Sequence, residues 1–179
     1  MRVIAGKYKG RKLDCPKGDL IRPTTDKVKE ALFGAIQFEL PGAYVLDAFA
    51  GSGALGIEAL SRGAEHADFI EKNPEPLAAL KHNLELTAGN EGYCLYKGDA
   101  LKLVSSLKKY DIVILDPPYD SGLYDKFLEL APNAGILKKG CIIIAECRRK
   151  FDFTVPMKYN LIKRKDYGDI SLWFLEYGE

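Results

Sequence analysis

The chain is poor in the residues that make metal or redox centres: 179 residues include two histidines and four cysteines, with one tryptophan and two methionines. Cys15, Cys94, Cys141 and Cys147 contain no CxxC pair, and His66 and His82 belong to no ligand cluster in the sequence, so a zinc ribbon and a dithiol redox couple are both excluded as readings. Four reduced thiols packed as small hydrophobes, and no metal, are the expectation. Long apolar runs are missing too. The longest, Cys141 to Ala145, is far short of the roughly 20 residues a membrane helix needs, and none follows the N-terminal charge. The expectation is therefore a cytoplasmic protein with no membrane partner. No repeat or low-complexity tract occurs either, and the composition of 47% hydrophobic, 28% charged and 11% aromatic residues suits one α/β domain over residues 1–179.

Net charge is also nearly absent, at +1, but the average hides a pattern. Residues 1–30 carry a net +5 and residues 148–165 a net +6, while residues 31–147 carry −6. Isolated exposed lysines are ordinary. Segregation of basic charge to both ends instead favours a polyanionic partner, such as nucleic acid.

Along the chain, strand-like and helix-like segments alternate, as in a parallel sheet covered by helices. Residues 1–15 alternate around Gly6 and Gly10 as a short basic hairpin, the core of an extension over residues 1–20. Arg22-Pro23-Thr24-Thr25-Asp26 then turns into a helix whose apolar residues Val28, Leu32, Ala35 and Ile36 recur at helical spacing as far as Pro41. Ala43 to Asp47 reads as a buried strand, the next helix stops near Gly63, and Ala67 to Glu71 reads as a second strand. Asn73-Pro74 starts a helix with Asn as its cap; Leu77, Leu80 and Leu84 share one face of it, and it ends at Gly89. Strands are expected at Tyr93 to Lys97, Tyr110 to Leu115 and Cys141 to Glu146, with a short helix after Asp99. The tail, Tyr159 to Lys165 and Ile170 to Tyr177 around Tyr167-Gly168-Asp169, reads as an antiparallel hairpin closing one sheet edge.

Gly51-Ser52-Gly53-Ala54-Leu55-Gly56 follows a strand, opens a helix, and precedes an acid, Glu71, by twenty positions. That spacing is the fingerprint of an adenosine-containing cofactor: glycines let the backbone approach the ligand, and a carboxylate at the second strand's end can grip ribose hydroxyls. The spacing alone does not separate NAD from S-adenosylmethionine. Asp47, at the end of the preceding strand, would repel a pyrophosphate but can hold the cationic amino-acid part of S-adenosylmethionine. Asp99-Ala100, closing the third strand, offers an acceptor for an adenine amino group. Either acid could instead cap a helix.

The sharpest signal is Asp116-Pro117-Pro118-Tyr119 at the carboxyl end of the fourth strand, the side on which open α/β sheets bind ligands. Two prolines fix the backbone and remove two donors, so the Asp116 carboxylate and the Pro117 carbonyl can converge as acceptors on one NH2 group. An amine conjugated to an aromatic ring is a poor nucleophile; two acceptors holding its protons can turn its lone pair toward an incoming methyl group. Tyr119 can stack on the base. The bland alternative is a rigid turn ending a strand.

In these residues the sequence resembles a known family. Asp47-x-Phe49-Ala50-Gly51-Ser52-Gly53, Glu71, Asp99 and Asp116-Pro117-Pro118-Tyr119 look like the ordered motifs of class I S-adenosylmethionine-dependent amino-methyltransferases. Arg2 to Gly10, Arg22 to Glu30 and Asp47 to Arg62 are similar to the bacterial 16S ribosomal RNA guanine-N2 methyltransferases of the RsmD type. The resemblance implies a Rossmann-like, seven-stranded, mostly parallel sheet with an antiparallel last strand, S-adenosylmethionine as cofactor, and a guanine amine of 16S RNA in small-subunit particles as target. It places Asp47, Gly51 and Gly53 at the methionine part of the cofactor, Glu71 at the ribose, Asp99 and Ala100 at the adenine, and Asp116 to Tyr119 at the target amine. Thr25, Phe49, Ala50, Lys72 and Asp116 complete the implied cofactor contacts, the segment Arg22 to Glu30 closing over them. Arg2, Lys7, Lys9, Arg11, Lys12, Arg22, Arg148, Arg149 and Lys150 are then the expected RNA contacts, fixing position on phosphates. Members often carry Phe where Tyr119 stands, and residues 150–179 match only in pattern.

Methyl transfer would be direct and in line, since no paired Cys or Ser nucleophile is apparent, and the protein is expected to act as a monomer. Three rivals stay open. DNA adenine-N6 or cytosine-N4 methylation uses the same Asp-Pro-Pro-Tyr, though 179 residues leave little room for a DNA-recognition domain. A nicotinamide oxidoreductase accounts for the glycines and Glu71 but not for Asp47 or Asp116. A non-catalytic RNA-binding module would keep the fold without the reaction.

Overall fold

The structure is a computed structural model and describes residues 1–16, 25–89, 91–118 and 121–178. Chain order gives α1 (Asp26–Ala35), β1 (Tyr44–Asp47), α2 (Ala54–Ser61), β2 (His66–Glu71), α3 (Pro74–Thr87), β3 (Tyr93–Lys97), α4 (Ala100–Leu103), β4 (Tyr110–Leu115), α5 (Leu123–Asn133), β5 (Leu137–Arg148), β6 (Tyr159–Tyr167) and β7 (Ile170–Tyr177). The seven strands form one sheet in the order β3-β2-β1-β4-β5-β7-β6. β1 to β5 are parallel, and β7 runs antiparallel between β5 and β6. Strand order reverses between β1 and β4, so a crevice opens at their carboxyl ends, where Asp47 and Asp116 come side by side.

Both faces of the central strands are covered, which is why these strands read as continuous apolar runs. Side chains alternate across the sheet. Val45, Ile112, Ile114, Leu172 and Phe174 pack with α1, α2 and α3 through Phe33, Ile57 and Leu80. Leu46, Val113, Leu115, Trp173 and Leu175 face the other way, toward Val104, Tyr124 and Phe127 beside α4 and on α5. Each such fully buried apolar side chain stabilises the fold by about 1.5–3 kcal/mol relative to exposure.

The first residues form one antiparallel bridge, Arg2 with Lys12, around turns, and dock on α2 through a buried acid. Glu58 accepts from the backbone N–H of Ile4 and Ala5, from Lys29 Nζ at 3.1 Å and from Arg62 Nε at 2.8 Å. Lys29, fully buried, also donates to the carbonyl of Arg2. Asn83 on α3 ties Asp14 to the carbonyl of Ser52. Thus the N-terminal segment is wired into the helices behind the glycine turn.

Two boundaries differ from the sequence expectation. α1 ends at Ala35, not Pro41: Ile36 leaves helical geometry and its carbonyl accepts from Glu39 in a turn, yet Ile36 and Leu40 still bury themselves. Asn73 is the N-cap residue of α3, as expected, but makes no side-chain cap bond; its backbone N–H donates to Glu71 Oε1 at 2.6 Å. β5 is longer than Cys141 to Glu146, since it pairs with β4 on one side and β7 on the other; its register shifts near Gly140, whose φ of +74° permits the irregularity. All four cysteines are free thiols, and burial pushes those of Cys141 and Cys147 up to about 12. Among the described residues, no helix is long and apolar enough to cross a membrane.

Candidate active site

The glycine turn owes its shape to two acids. Asp47, 1% exposed at the end of β1, accepts from the Gly56 N–H at 2.9 Å and so fixes the first turn of α2. Burial raises its carboxyl to about 7, opposed by the Gly56 hydrogen bond and reinforced by the charge of Glu71. Glu71, closing β2, accepts from the Gly51 N–H at 2.9 Å with one oxygen and from Asn73 with the other. A carboxylate has about four lone-pair sites, so both oxygens can still receive ligand hydroxyls.

The glycines differ in why they are glycine. Gly51 sits at φ +55°, and among the described residues a Cβ there would meet no neighbouring atom within 4 Å; it leaves open space beside the turn. Gly56 is demanded by packing, since a Cβ would fall 2.3 Å from Phe69 Cε1.

A cavity of about 510 Å³ lies over the carboxyl ends of β1, β2, β4 and β5, within the range of small-molecule sites. Asp47, Phe49, Ala50, Gly51, Glu71, Lys72, Asp99, Ala100, Asp116, Pro117 and Pro118 all line it. Phe49 is held edge-on against Phe127 with ring centroids 6.1 Å apart. Asp99 does cap α4, accepting from the Leu101 N–H at 3.0 Å, and lines the cavity as well. Thus the capping alternative and the ligand-facing one coexist in the same residue. Half-buried Asp116 closes the target side, with a carboxyl held well above the ordinary range by burial and then by the neighbouring Glu146 and Asp47.

Two expected cofactor residues are absent from this lining. Thr25 caps α1 by accepting from the Val28 N–H at 3.3 Å and is not in the lining. Gly53 is likewise not in the lining, although Ser52 and Ala54 on either side of it are; its φ of +81° calls for glycine, and a Cβ there would lie 2.2 Å from Leu80 Cδ1. Tyr119 and Arg22 lie outside the described residues.

Among the expected RNA contacts, Lys9, Arg11, Lys12 and Lys150 are exposed. Arg2 pairs with Asp26 at 2.9 Å, Lys7 lies over the Tyr8 ring, and Arg149 pairs with Asp166 at 3.1 Å. Arg148 lines the cavity itself. Sequence reasoning missed Met1, Ile70, Pro76 and Leu123 in the lining, and Glu146 beside Asp116. For Glu146 and Arg148 a signal existed: they are two apart at the carboxyl end of a predicted strand next to the crevice, hence on one face. Met1 carries no such signal, because only the docking of the N-terminal segment brings it there.

Comparison with known proteins agrees with this geometry. A family model described as Conserved hypothetical protein 95 matches residues 1–176. The ribosomal RNA small subunit methyltransferase D of Escherichia coli strain K12 is 36% identical over 174 residues, covering 96% of this chain and 87% of its own. Its namesake in Haemophilus influenzae is 34% identical over 175 residues, covering 96% and 91%. The solved structure of the yhhF protein of Escherichia coli superposes with a TM-score of 0.88 at 33% identity, covering 99% of this chain and 98% of that one. The chain therefore belongs to the family described as Conserved hypothetical protein 95, and is a class I methyltransferase related to the ribosomal RNA small subunit methyltransferase D proteins.

Proposed function

We propose that the protein methylates the exocyclic N2 amine of a guanine in 16S ribosomal RNA, acting as a cytoplasmic monomer on small-subunit particles, with residues 1–179 working as one domain. The single observation that carries this reading is one cavity walled on one side by Asp47, Gly51 and Glu71 and on the other by Asp116-Pro117-Pro118. The names of the small-subunit methyltransferase D relatives support the choice of RNA.

The residues present fit S-adenosylmethionine. Gly51 leaves open space where a ligand would pass, Glu71 retains lone pairs for ribose hydroxyls, and Asp47 offers an anion to an ammonium group. Asp99 and Ala100 would take the adenine end. When bound, the cofactor supplies an electrophilic methyl group on a sulfonium.

Asp116 and the Pro117 carbonyl accept the two N–H groups of the target amine, so its lone pair faces the donor. Positive charge would develop on that nitrogen as the methyl group passes to it and the sulfur–methyl bond breaks, and the adjacent carboxylate would stabilise it. The surplus N–H proton then passes to an Asp116 oxygen. Burial and the neighbouring Glu146 raise the proton affinity of this carboxyl, which makes it the better acceptor. The guanine must leave its stack to reach these groups, which costs least in a loop or a partly assembled particle.

Asp116→Ala tests the assignment. With tritiated S-adenosylmethionine and small-subunit particles lacking the modification, methyl transfer should fall by about 100-fold or more, while cofactor affinity by calorimetry stays within a few-fold. Near-normal turnover would refute the role of Asp116. Label mapped to an adenine or cytosine would refute the guanine.

A further inference from the structure

The amino-terminal ends of the strands, opposite the crevice, hold a second cluster of chemically active side chains. His66 and Asp68 are two apart on β2 and so share a face. Asp68 is in register with Cys94 on β3, which places the thiol on that face as well. His66 Nε2 lies 2.9 Å from Asp68 Oδ1, and a ring nitrogen of His66, a carboxylate oxygen of Asp68 and Cys94 Sγ all lie within 4.8 Å of one another.

The surroundings are built like a support shell. Tyr110 donates its hydroxyl to the other Asp68 oxygen, Oδ2, which fixes the carboxylate. Tyr44 stacks on the His66 ring with centroids 5.6 Å apart, which fixes the imidazole. Asp68 is fully buried, yet among the described residues no lysine or arginine forms an ion pair with it; its partners are the His66 ring and the Tyr110 hydroxyl. A buried carboxylate without a cation is costly. The His66 side chain is 16% exposed and leaves a path from solvent.

We infer that His66 Nε2, Asp68 Oδ1 and Cys94 Sγ form a binding site for a zinc-class divalent cation, with the fourth tetrahedral position open to solvent on the His66 side. Imidazole, thiolate and carboxylate together select Zn2+ or Co2+ and disfavour Mg2+ and Ca2+, which take oxygen ligands. Binding displaces the Cys94 proton to solvent, leaving the thiolate as ligand. The site staples edge strand β3 to β2. Its β2 ligands lie three and five residues from Glu71, roughly 10 and 16 Å at the usual strand rise and toward the strand ends opposite the crevice, so the metal takes no part in methyl transfer. The sequence hides the site because Cys94 stands 28 positions from His66 and only the β2–β3 register brings them together.

The test uses the untagged full-length protein, stripped by chelator and titrated with Zn2+ against a chromogenic competitor, and separately with Co2+. One equivalent of Zn2+ should bind, the melting temperature should rise with it, and the cobalt form should show a thiolate-to-metal charge-transfer band. Cys94→Ser should abolish that band, and His66→Ala should weaken zinc binding at least tenfold. Tyr110→Phe, which only releases the carboxylate, should weaken it by about 10–100-fold. Methyl transfer by the variants should be unchanged, which separates this site from the proposed reaction. Less than one equivalent bound, or a cobalt spectrum of the unsubstituted protein without a thiolate band, would overturn the inference even if a substituted chain failed to fold.

Discussion

At the scale of single residues, Asp47 links stability to cofactor binding through one proton. Its carboxyl is raised from 3.8 to about 7, chiefly by burial. Between pH 4 and 7 the folded chain therefore holds a proton that the unfolded chain has lost, so stability falls as pH rises through that window and stays lowered above it. Asn at this position still offers an oxygen to the Gly56 N–H but carries no charge. Asp47→Asn should flatten this part of the pH profile and recover on the order of 1–4 kcal/mol at pH 8, measured by urea denaturation. The ammonium of S-adenosylmethionine demands the opposite state. Because the carboxyl is mostly protonated at pH 6 and mostly ionised at pH 8, affinity for S-adenosylmethionine should rise roughly tenfold between them and be weak and flat in Asp47→Asn. Equal affinities and equal slopes in calorimetry would exclude the ion pair.

At the scale of elements, α2 is the hub, and its anchor is the Lys29–Glu58 pair. Glu58 gathers two backbone amides, Lys29 and Arg62, while Lys29 reaches back to the carbonyl of Arg2. Removing one partner leaves a buried carboxylate short of a buried cation, a loss worth about 3–5 kcal/mol in comparable sites. Lys29→Met, which keeps the volume, should therefore lower unfolding free energy by about 3 kcal/mol with an unchanged denaturant slope, and should expose residues 1–13 to proteolysis. A loss below about 1 kcal/mol would mean that the apolar packing of Val3 and Leu13 holds the segment unaided. The strands and the glycine turn were legible in the sequence, because buried parallel strands are apolar throughout and the turn needs glycines at fixed offsets. The Lys29–Glu58 pair was not legible, for its partners are 29 positions apart and each reads as a surface charge. α5 shows Tyr124, Phe127, Leu128 and Ala131 at helical spacing, but Gly122 at its start and Pro132 inside it obscure its bounds. The site divides in the same way. Asp116, Glu71 and Arg148 could be placed because strand ends define the crevice, whereas Met1 enters the lining only through tertiary docking.

At the scale of the whole molecule, the segregated charge acquires a geometry. Met1 belongs to the basic N-terminal segment and Arg148, the last residue of β5, opens the second basic stretch, and both of these residues line the same cavity. Both basic segments of an almost neutral chain thus touch one cavity, whose wall also holds Asp47 and Asp116. If phosphates engage the N-terminal side, the logarithm of the affinity for a 16S RNA fragment must fall linearly with the logarithm of salt concentration as counterions are released. Lys9, Arg11 and Lys12 are exposed and lie away from the lining, so a triple substitution to Glu should leave S-adenosylmethionine affinity unaltered. The same substitution should weaken RNA binding and reduce the salt slope by about one for each phosphate no longer neutralised. Filter-binding titrations across a range of potassium chloride concentrations measure both quantities. A variant that keeps the parent slope would place the RNA track on the β5 side alone.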